Sequence, residues 1–478
     1  MKRPQSLRDR LATMTREELR SALAATARGD ETLRADRFAR FDDDRAETHQ
    51  ILAENLDAIL ASDEHTPVKV EQELPPDAIL AVDIGGATIR SLLGTATQSR
   101  AAILAHATVA TALRDDSGFK HGRVVHREQA IATLRRALDA VAWRTGRLPE
   151  AAVVGIAPPF LKSYRQEITV DLRGRALTQN HLRRALSVPQ PTLPSDVRPL
   201  HIFPSAFALD GFLQNTAPVG AKGRSLEIPT NVIAAPTETL DLLIDVFAAN
   251  GLRVLAFVSH PYAAAFPIAT TAERAAGLAL LDIGATASTL ALFAGETVDI
   301  ATHRIGGRRV TTEVAIAFRI DGRSAQWLVE EIGPCPAPDA SEDNTLYVRA
   351  IGRAVPQEVS RRKVADIIHD ALEDYVGLFS WLGERIERHG LPLRSGIVLT
   401  GAAAGLYGMR ELCERITGAP TRIGIPAALD GTPSLSLPGW ASTIGLLLTP
   451  RFEAAPLQTR PISPRSSRVP RKKPRERL

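Results

Sequence analysis

The sequence has few of the features that mark disulfide-rich, zinc-binding or membrane-spanning proteins. Only two cysteines, Cys335 and Cys413, occur among 478 residues, which is typical of a protein in a reducing compartment and argues against a disulfide framework. The sequence contains no Cys/His spacing typical of zinc and no HExxH motif. No apolar run reaches 18 residues, so no transmembrane helix is predicted. We therefore expect a cytoplasmic protein without a structural metal.

Excess positive charge is confined to one end of the chain. Residues 451–478 contain nine Lys or Arg and two Glu, a net charge of +7 in a chain whose total is +4. The remaining residues therefore carry −3, and the basic isoelectric point describes the tail. This distribution gives no reason to expect nucleic-acid binding. Because the tail is also rich in Pro and Ser, it is predicted to be disordered.

Two short stretches nearly repeat each other about 200 residues apart. AVDIGGATIR at 81–90 and LLDIGATAST at 280–289 each read as a buried strand that ends in Asp and a small-residue turn. A third glycine-containing turn follows at 396–405. Such turns let backbone amides approach a phosphate, and the carboxylates of Asp83 and Asp282 could hold Mg²⁺ through water. Two facing loops of this kind predict the nucleotide cleft of the actin, sugar-kinase and heat-shock chaperone superfamily.

Several further motifs resemble the FtsA family of bacterial actin-like cell-division proteins. They are LHIFP at 200–204, ALD at 208–210, PVGAKG at 218–223, GIVLTG at 396–401 and ASTIGLL at 441–447. The second and third of these, with LHIFP, lie in the stretch that resembles the small domain inserted into FtsA, which kinases and chaperones lack. The resemblance extends over residues 78–449.

The resemblance implies an α/β, actin-like two-lobed fold with ribonuclease H-like halves and an inserted FtsA-type small domain. The expected units are a flexible charged extension at 1–77, a first lobe at 78–148 and 237–276, an inserted SHS2-type domain at 149–236, a second lobe at 277–320 and 364–450, a small subdomain of that lobe at 321–363, and the basic tail at 451–478. A partner-binding or membrane-surface helix is the alternative for the extension. Apolar spacing also predicts one long helix from Lys363 to His389.

The same resemblance implies a scaffold of the divisome that links FtsZ to the inner face of the cytoplasmic membrane at the septum. It implies binding of the FtsZ C-terminal peptide by the small subdomain, recruitment of other division proteins, and self-association into filaments. Two alternatives remain open at this point. One is a phosphotransferase of the actin and sugar-kinase superfamily, and the other is a divergent actin-like adaptor for envelope or pilus assembly.

The resemblance also implies a site for ATP with Mg²⁺ and no dedicated catalytic residue. The implied metal-binding residues are Asp83 and Asp282. The implied nucleotide-binding residues are Asp83, Gly85, Gly86, Thr88, Asp282, Gly284, Thr286, Gly307, Gly401 and Ala402.

The sequence departs from the family pattern at this site. Uncharged or bulkier residues replace a Lys, glycines, a carboxylate and a purine-contacting Glu and Lys at Thr88, Ala285, Thr289, Gln326, Val329 and Ala402. Each lost charged contact costs roughly 1.5–3 kcal/mol, so two losses weaken binding by roughly 10²–10⁴. We therefore expect a degenerate site with weak ATP binding and no efficient hydrolysis, in which Arg90 substitutes for the missing Lys. The simpler alternative is that Asp83 and Asp282 only terminate strands.

The last residues also differ from the family, which ends in an amphipathic membrane helix. Here the sequence is SRVPRKKPRERL, whose prolines prevent a continuous helix. Its five basic residues between Arg471 and Arg477 could attract anionic lipid, at about 1 kcal/mol each near the surface. A solvated tail without membrane contact is the alternative.

Overall fold

The computed structural model describes residues 73–449 with short internal gaps. The gaps are residues 98–99, 112–116, 157–159, 188–192, 215, 295–296, 338–344, 353–355, 391, 428 and 431–434. Apart from residues 73–77, the expected N-terminal extension lies outside the described residues, and so does the whole basic tail.

The described chain combines strands with helices that connect or cover them. The strands are β1 (Ile79–Ile84), β2 (Thr88–Ala96), β3 (Ala101–Ala110), β4 (Phe119–Lys120), β5 (Arg123–Val124), β6 (Ala151–Ile156), β7 (Lys162–Asp171), β8 (Val197–Pro204), β9 (Phe207–Leu209), β10 (Phe212–Gln214), β11 (Ser225–Pro236), β12 (Arg253–Ser259), β13 (Leu278–Ile283), β14 (Ser288–Ala294), β15 (Thr297–His303), β16 (Thr345–Val348), β17 (Gln357–Ser360), β18 (Ile397–Thr400), β19 (Thr421–Ile423) and β20 (Leu429–Asp430). The α-helices are α1 (Arg127–Thr145), α2 (Gln179–Ser187), α3 (Thr237–Ala249), α4 (His260–Ile268), α5 (Thr271–Ala276), α6 (Arg308–Phe318), α7 (Gly322–Ile332), α8 (Arg361–Asp370), α9 (Val376–His389), α10 (Met409–Thr417) and α11 (Ala441–Leu448). Within residues 73–449, none of these helices combines the length and apolarity that a membrane span requires.

Two sheets repeat the same strand order, one in each lobe. The first has the order β12-β6-β1-β2-β3-β20 and the second β15-β14-β13-β18-β19. In each, an antiparallel meander (β1-β2-β3 or β13-β14-β15) is extended by parallel strands (β6 and β12, or β18 and β19). Every residue of β1 and β13 is buried, as expected for central strands covered on both faces. The sequence repeat is therefore a duplicated sheet, and the fold is the actin-like two-lobed fold.

Helix α11 packs against the first lobe, although the sequence assigns it to the second. It contacts β1, β2, β6 and α4, and α4 in turn contacts strands of both sheets. Residues 441–447 are all buried, because most of the helix surface is apolar. At Gly445 a Cβ would collide with the carbonyl of Ala263. The glycine thus permits close contact between α11 and α4, and the chain returns to its first lobe.

The inserted module begins after β6, later than residue 149. Strand β6 pairs in parallel with β1 and β12, so it belongs to the first lobe. The module is a separate sheet of order β10-β9-β11-β7, with β8 also paired to β11. It has its own core, which consists of Ile168, Leu172, Leu177, Leu182, Phe207, Leu209, Leu226 and Ile228.

The long helix predicted over 363–389 is wrong, because a 3₁₀ turn at Ala371–Tyr375 divides it into α8 and α9. The buried side chain of Tyr375 explains the break. Its hydroxyl donates a hydrogen bond of 3.1 Å to the carbonyl of Gly306 in another segment. Apolar spacing continues through the turn, so the sequence pattern alone gave no sign of it.

Candidate functional site

The two Asp-tipped turns have the same backbone geometry. The amide of Gly85 donates to the carbonyl of Thr88 at 2.9 Å, and the amide of Gly284 donates to that of Ala287 at 3.0 Å. The non-glycine residues with positive φ within the described chain do not include Ala285. The replacement of glycine by Ala285 therefore introduces no left-handed strain, and the second turn keeps the shape of the first.

The tips of the two turns contact each other across the interface between the lobes. The hydroxyl of Thr286 lies directly against Gly86, where a Cβ would overlap with it. Gly401 follows β18 with φ of 87°, and its Cα lies beside the carboxylate of Asp282. The third turn therefore closes over the second, and Gly401 occupies a position that only glycine fits.

The remaining predicted residues complete the same crevice. The amide of Gly307 donates to the carbonyl of Gly284 at 2.8 Å, and Gly307 also lies against Ala403. Ala402 lies 3.5 Å from the position a Cβ would take at Gly439. The amides of Gly85, Gly284, Gly307 and Gly401 all donate within the protein. These four amides fix the shape of the loops and are not available as phosphate donors.

Both oxygens of the Asp83 carboxylate lie against protein groups, but only Oδ2 accepts hydrogen bonds. Oδ2 accepts hydrogen bonds from the hydroxyls of Ser442 at 3.1 Å and Thr443 at 2.9 Å, at the start of α11. Oδ1 lies 2.9 Å from Nε2 of His260, the first residue of α4. The side chain of Asp83 is 2% exposed and that of His260 is 7% exposed. This carboxylate is therefore enclosed by elements that follow it by more than 170 residues.

The enclosed groups shift one another's acidity. Burial alone would raise the pKa of Asp83, but His260, Arg90 and Thr443 together lower it to about 2. Burial opposes protonation of His260, yet the negative charge of Asp83 raises its pKa above the usual value. Burial and the nearby charge of Asp83 raise the pKa of Asp282. The two carboxylates therefore share one electrostatic environment, and Asp83 ionises more readily than Asp282.

Arg90 brings a fixed positive charge to the crevice. It lies opposite Asp83 in the β1–β2 register, and its charge lowers the pKa of both Asp83 and Asp282. Its guanidinium lies 5.6 Å from the ring centre of Trp440, a cation–π distance. This placement is compatible with the predicted substitution of Arg90 for the missing Lys, which stays a prediction.

The residues around Asp83 do not fit a hydrated Mg²⁺ ion. Outer-sphere binding needs a carboxylate oxygen that faces water, and neither oxygen of Asp83 does. Only Asp282, which is 8% exposed, remains of the expected pair. In the part of the chain that the structure describes, no three His, Cys, Asp or Glu side chains are grouped so that they could hold a metal.

A second buried histidine supports the position of His260. His201, from the LHIFP motif on β8, accepts a hydrogen bond of 3.1 Å from the amide of Ser259. Its ring stacks with Phe203 and packs against Tyr262. Burial lowers the pKa of His201 to about 3, so it is neutral. The motif that signalled the inserted domain thus attaches β8 to the end of β12.

At the positions where the family contacts the purine, the side-chain amide of Gln326 is already hydrogen-bonded, because it donates to Glu330 at 2.8 Å. Val329, the other replaced contact, is buried. A cavity of about 460 Å³ opens nearby between β3, α1 and α7, and Arg136, Arg323 and Trp327 are among its lining residues. Neither Asp83 nor Asp282 lines it.

Sequence reasoning missed His260, Ser442 and Thr443. The available signal was the placement of His260 directly after β12, whose carboxyl end lies beside that of β1 in a parallel arrangement through β6. Side chains at such strand ends converge on one edge of a sheet.

Two family models match the chain in the regions described above. One, described as "SHS2 domain inserted in FTSA", matches residues 160–234, and the other, described as "Cell division protein FtsA", matches residues 279–445. The chain is a divergent member of the FtsA family. Its inserted sheet of β7–β11 is thus the FtsA module, and its second lobe is the part that the FtsA model covers.

Curated relatives agree with this assignment, and one solved structure is similar in fold. The chain is 27% identical to cell division protein FtsA of Pseudomonas aeruginosa, over 77% of this chain and 88% of that protein. It is 28% identical to FtsA of Rhizobium meliloti, over 80% of this chain and 88% of that protein. The structure entitled "PilM-PilN type IV pilus biogenesis complex" is similar in fold, with a TM-score of 0.54 at 18% identity, over 77% of this chain and 97% of that one.

Proposed function

We propose that this FtsA-like cell-division protein is a scaffold that links FtsZ to the cytoplasmic membrane and recruits other division proteins. The observation that carries the proposal is the FtsA-type module inserted between β6 and β12 of an actin-like lobe. Because the relatives are named as cell division proteins, neither the phosphotransferase nor the pilus-adaptor alternative is favoured.

We propose the small subdomain at 321–363, together with the adjoining end of α6, as the docking surface for the FtsZ C-terminal peptide. Ile316 and Ile351 are 66% and 71% exposed. The amide of Ile351 donates to the carbonyl of Arg319, one turn after Ile316, so the two apolar side chains belong to one surface. Lys363 lies over the ring of Phe318 at the same end of α6. Large exposed apolar residues beside basic ones are typical of peptide-binding surfaces.

The test is the binding of a fluorescent FtsZ C-terminal peptide to the full chain, followed by anisotropy. Ile351→Asp removes one apolar contact worth about 1.5–3 kcal/mol and should weaken binding about tenfold or more. Phe212→Asp is the matched control, because Phe212 is 76% exposed but lies in the inserted module. A wild-type chain that does not bind the peptide, or equal losses in both variants, would contradict the proposal.

We further propose that the crevice binds ATP weakly and does not hydrolyse it efficiently. The support is the combination of replaced contacts and loop amides that donate within the protein. Titration calorimetry with ATP tests this, and micromolar affinity would contradict it.

Membrane contact is proposed through anionic lipid and the basic residues of the tail. Co-sedimentation with anionic vesicles should fall when residues 451–478 are deleted and when salt is raised. Binding that survives both changes would count against this route. Self-association into filaments is a further family property, which light scattering of the full chain tests.

A further inference from the structure

The group beside Asp83 has consequences for the metal expected in an actin-like cleft. His260 interacts with both Asp83 and Asp282, since the charges of both carboxylates raise its pKa. It begins α4, and Gly155 of β6 leaves room for its ring, because a Cβ there would lie 3.2 Å from Nε2. The imidazole is thus held by packing on one side and by Asp83 on the other.

The opposite oxygen of Asp83 is held by hydroxyls from α11. Ser442 and Thr443 are themselves buried, and Thr443 is fully so. To expose Asp83 Oδ2 to a hydrated ion, the start of α11 would have to move away from β1. To expose Oδ1, His260 would have to leave its place beside Gly155. Neither change is a simple rotation of an exposed side chain.

Positively charged groups already act on both carboxylates of the crevice. Two carboxylates, Asp83 and Asp282, face the fixed guanidinium of Arg90 and the imidazole of His260. A divalent cation beside these carboxylates would therefore be repelled by the positive charge of Arg90, which acts on both of them.

We propose that this protein binds no divalent cation at Asp83, because Ser442 and Thr443 donate hydrogen bonds to one oxygen of its carboxylate and the imidazole of His260 lies 2.9 Å from the other. A polyphosphate ligand that enters the crevice is received as the metal-free anion. The proposal concerns the cation and does not depend on FtsZ binding or on membrane attachment. It deepens the proposed nucleotide site, since it states which form of the ligand the site accepts.

The experiment uses Mn²⁺ as a paramagnetic substitute for Mg²⁺ on the full-length protein, with and without ATP. Imidazole resonances are recorded with labelled histidine, and the signal of His260 is assigned by its loss in His260→Gln. The expected result is that Mn²⁺ leaves the His260 signal sharp in both conditions, even where ions bind at sites far from the crevice. Selective broadening of that signal by one equivalent of Mn²⁺, reversed by Mg²⁺, would overturn the proposal.

The affinity for ATP provides a second reading. The dissociation constants in Mg²⁺ and in EDTA should agree within about twofold, and a loss of about tenfold or more in EDTA would refute the inference. If ATP binding is too weak to measure, the Mn²⁺ spectra decide alone. The peptide-binding assay is independent of both readings, so failure of the scaffold proposal and failure of this one are distinguishable.

Discussion

Acidification should weaken the attachment of the inserted module to the first lobe through His201. The pKa of this buried histidine is about 3 in the folded protein and 6.5 at its ordinary value. The unfolded or opened chain therefore binds a proton that the folded chain excludes, and stability falls as the pH drops below 6.5. One such proton costs up to about 1.4 kcal/mol per pH unit. Between pH 7.5 and 5.0 this residue alone lowers stability by about 2 kcal/mol.

Hydrogen exchange at the amide of Ser259, which donates to His201, measures this local stability. Its protection, corrected for intrinsic exchange, should fall about 30-fold between pH 7.5 and 5.0, since 1.4 kcal/mol corresponds to a factor of ten. His201→Gln keeps a hydrogen-bond acceptor but does not titrate, so its protection should lack this component.

The difference between the wild type and this variant isolates His201 from other titrating groups. The contribution of His260 to the pH dependence of stability has the opposite sign, because its pKa is raised. Its contribution is complete below pH 6.5 and is lost as the pH rises through its folded pKa. Equal pH dependence in the wild type and in His201→Gln would refute the reasoning.

Two further substitutions test the crevice and the helix break. Gly401→Ala forces a residue with φ of 87° and a Cβ against Asp282, so thermal unfolding should show a loss of roughly 3 kcal/mol or more. Gly405→Ala, which meets no atom within 4 Å, should cost far less, and similar losses in both would exclude the steric explanation. Tyr375→Phe removes the hydrogen bond to Gly306 and should cost about 1–3 kcal/mol by chemical denaturation, because a buried carbonyl loses its donor; unchanged stability would argue against this tie.

The duplicated fold could be predicted because its signal is local. Asp83 and Asp282 each follow a fully buried strand and precede a small-residue turn, and one pattern of hydrogen bonds closes both turns. The family motifs then indicated the inserted module.

The side chains that surround the carboxylate of Asp83 could not be predicted in the same way. They come from helices that begin at His260 and Ala441, so their approach depends on tertiary packing. The 3₁₀ turn before Val376 has the same origin, because a distant carbonyl holds Tyr375. Apolar periodicity reports which face is buried but not where a helix tightens.

The return of α11 to the first lobe has a mechanical consequence. This helix has eight residues and is therefore about 12 Å long. Its first turn donates a hydrogen bond to Asp83, and its last turn leads into the chain that follows Thr449. Tension applied to that following chain, for example by an attached partner, would be transmitted through the short helix α11 to the junction of the two lobes. Force on the chain after Thr449 and movement at the junction of the lobes are thus coupled through three helical turns or fewer.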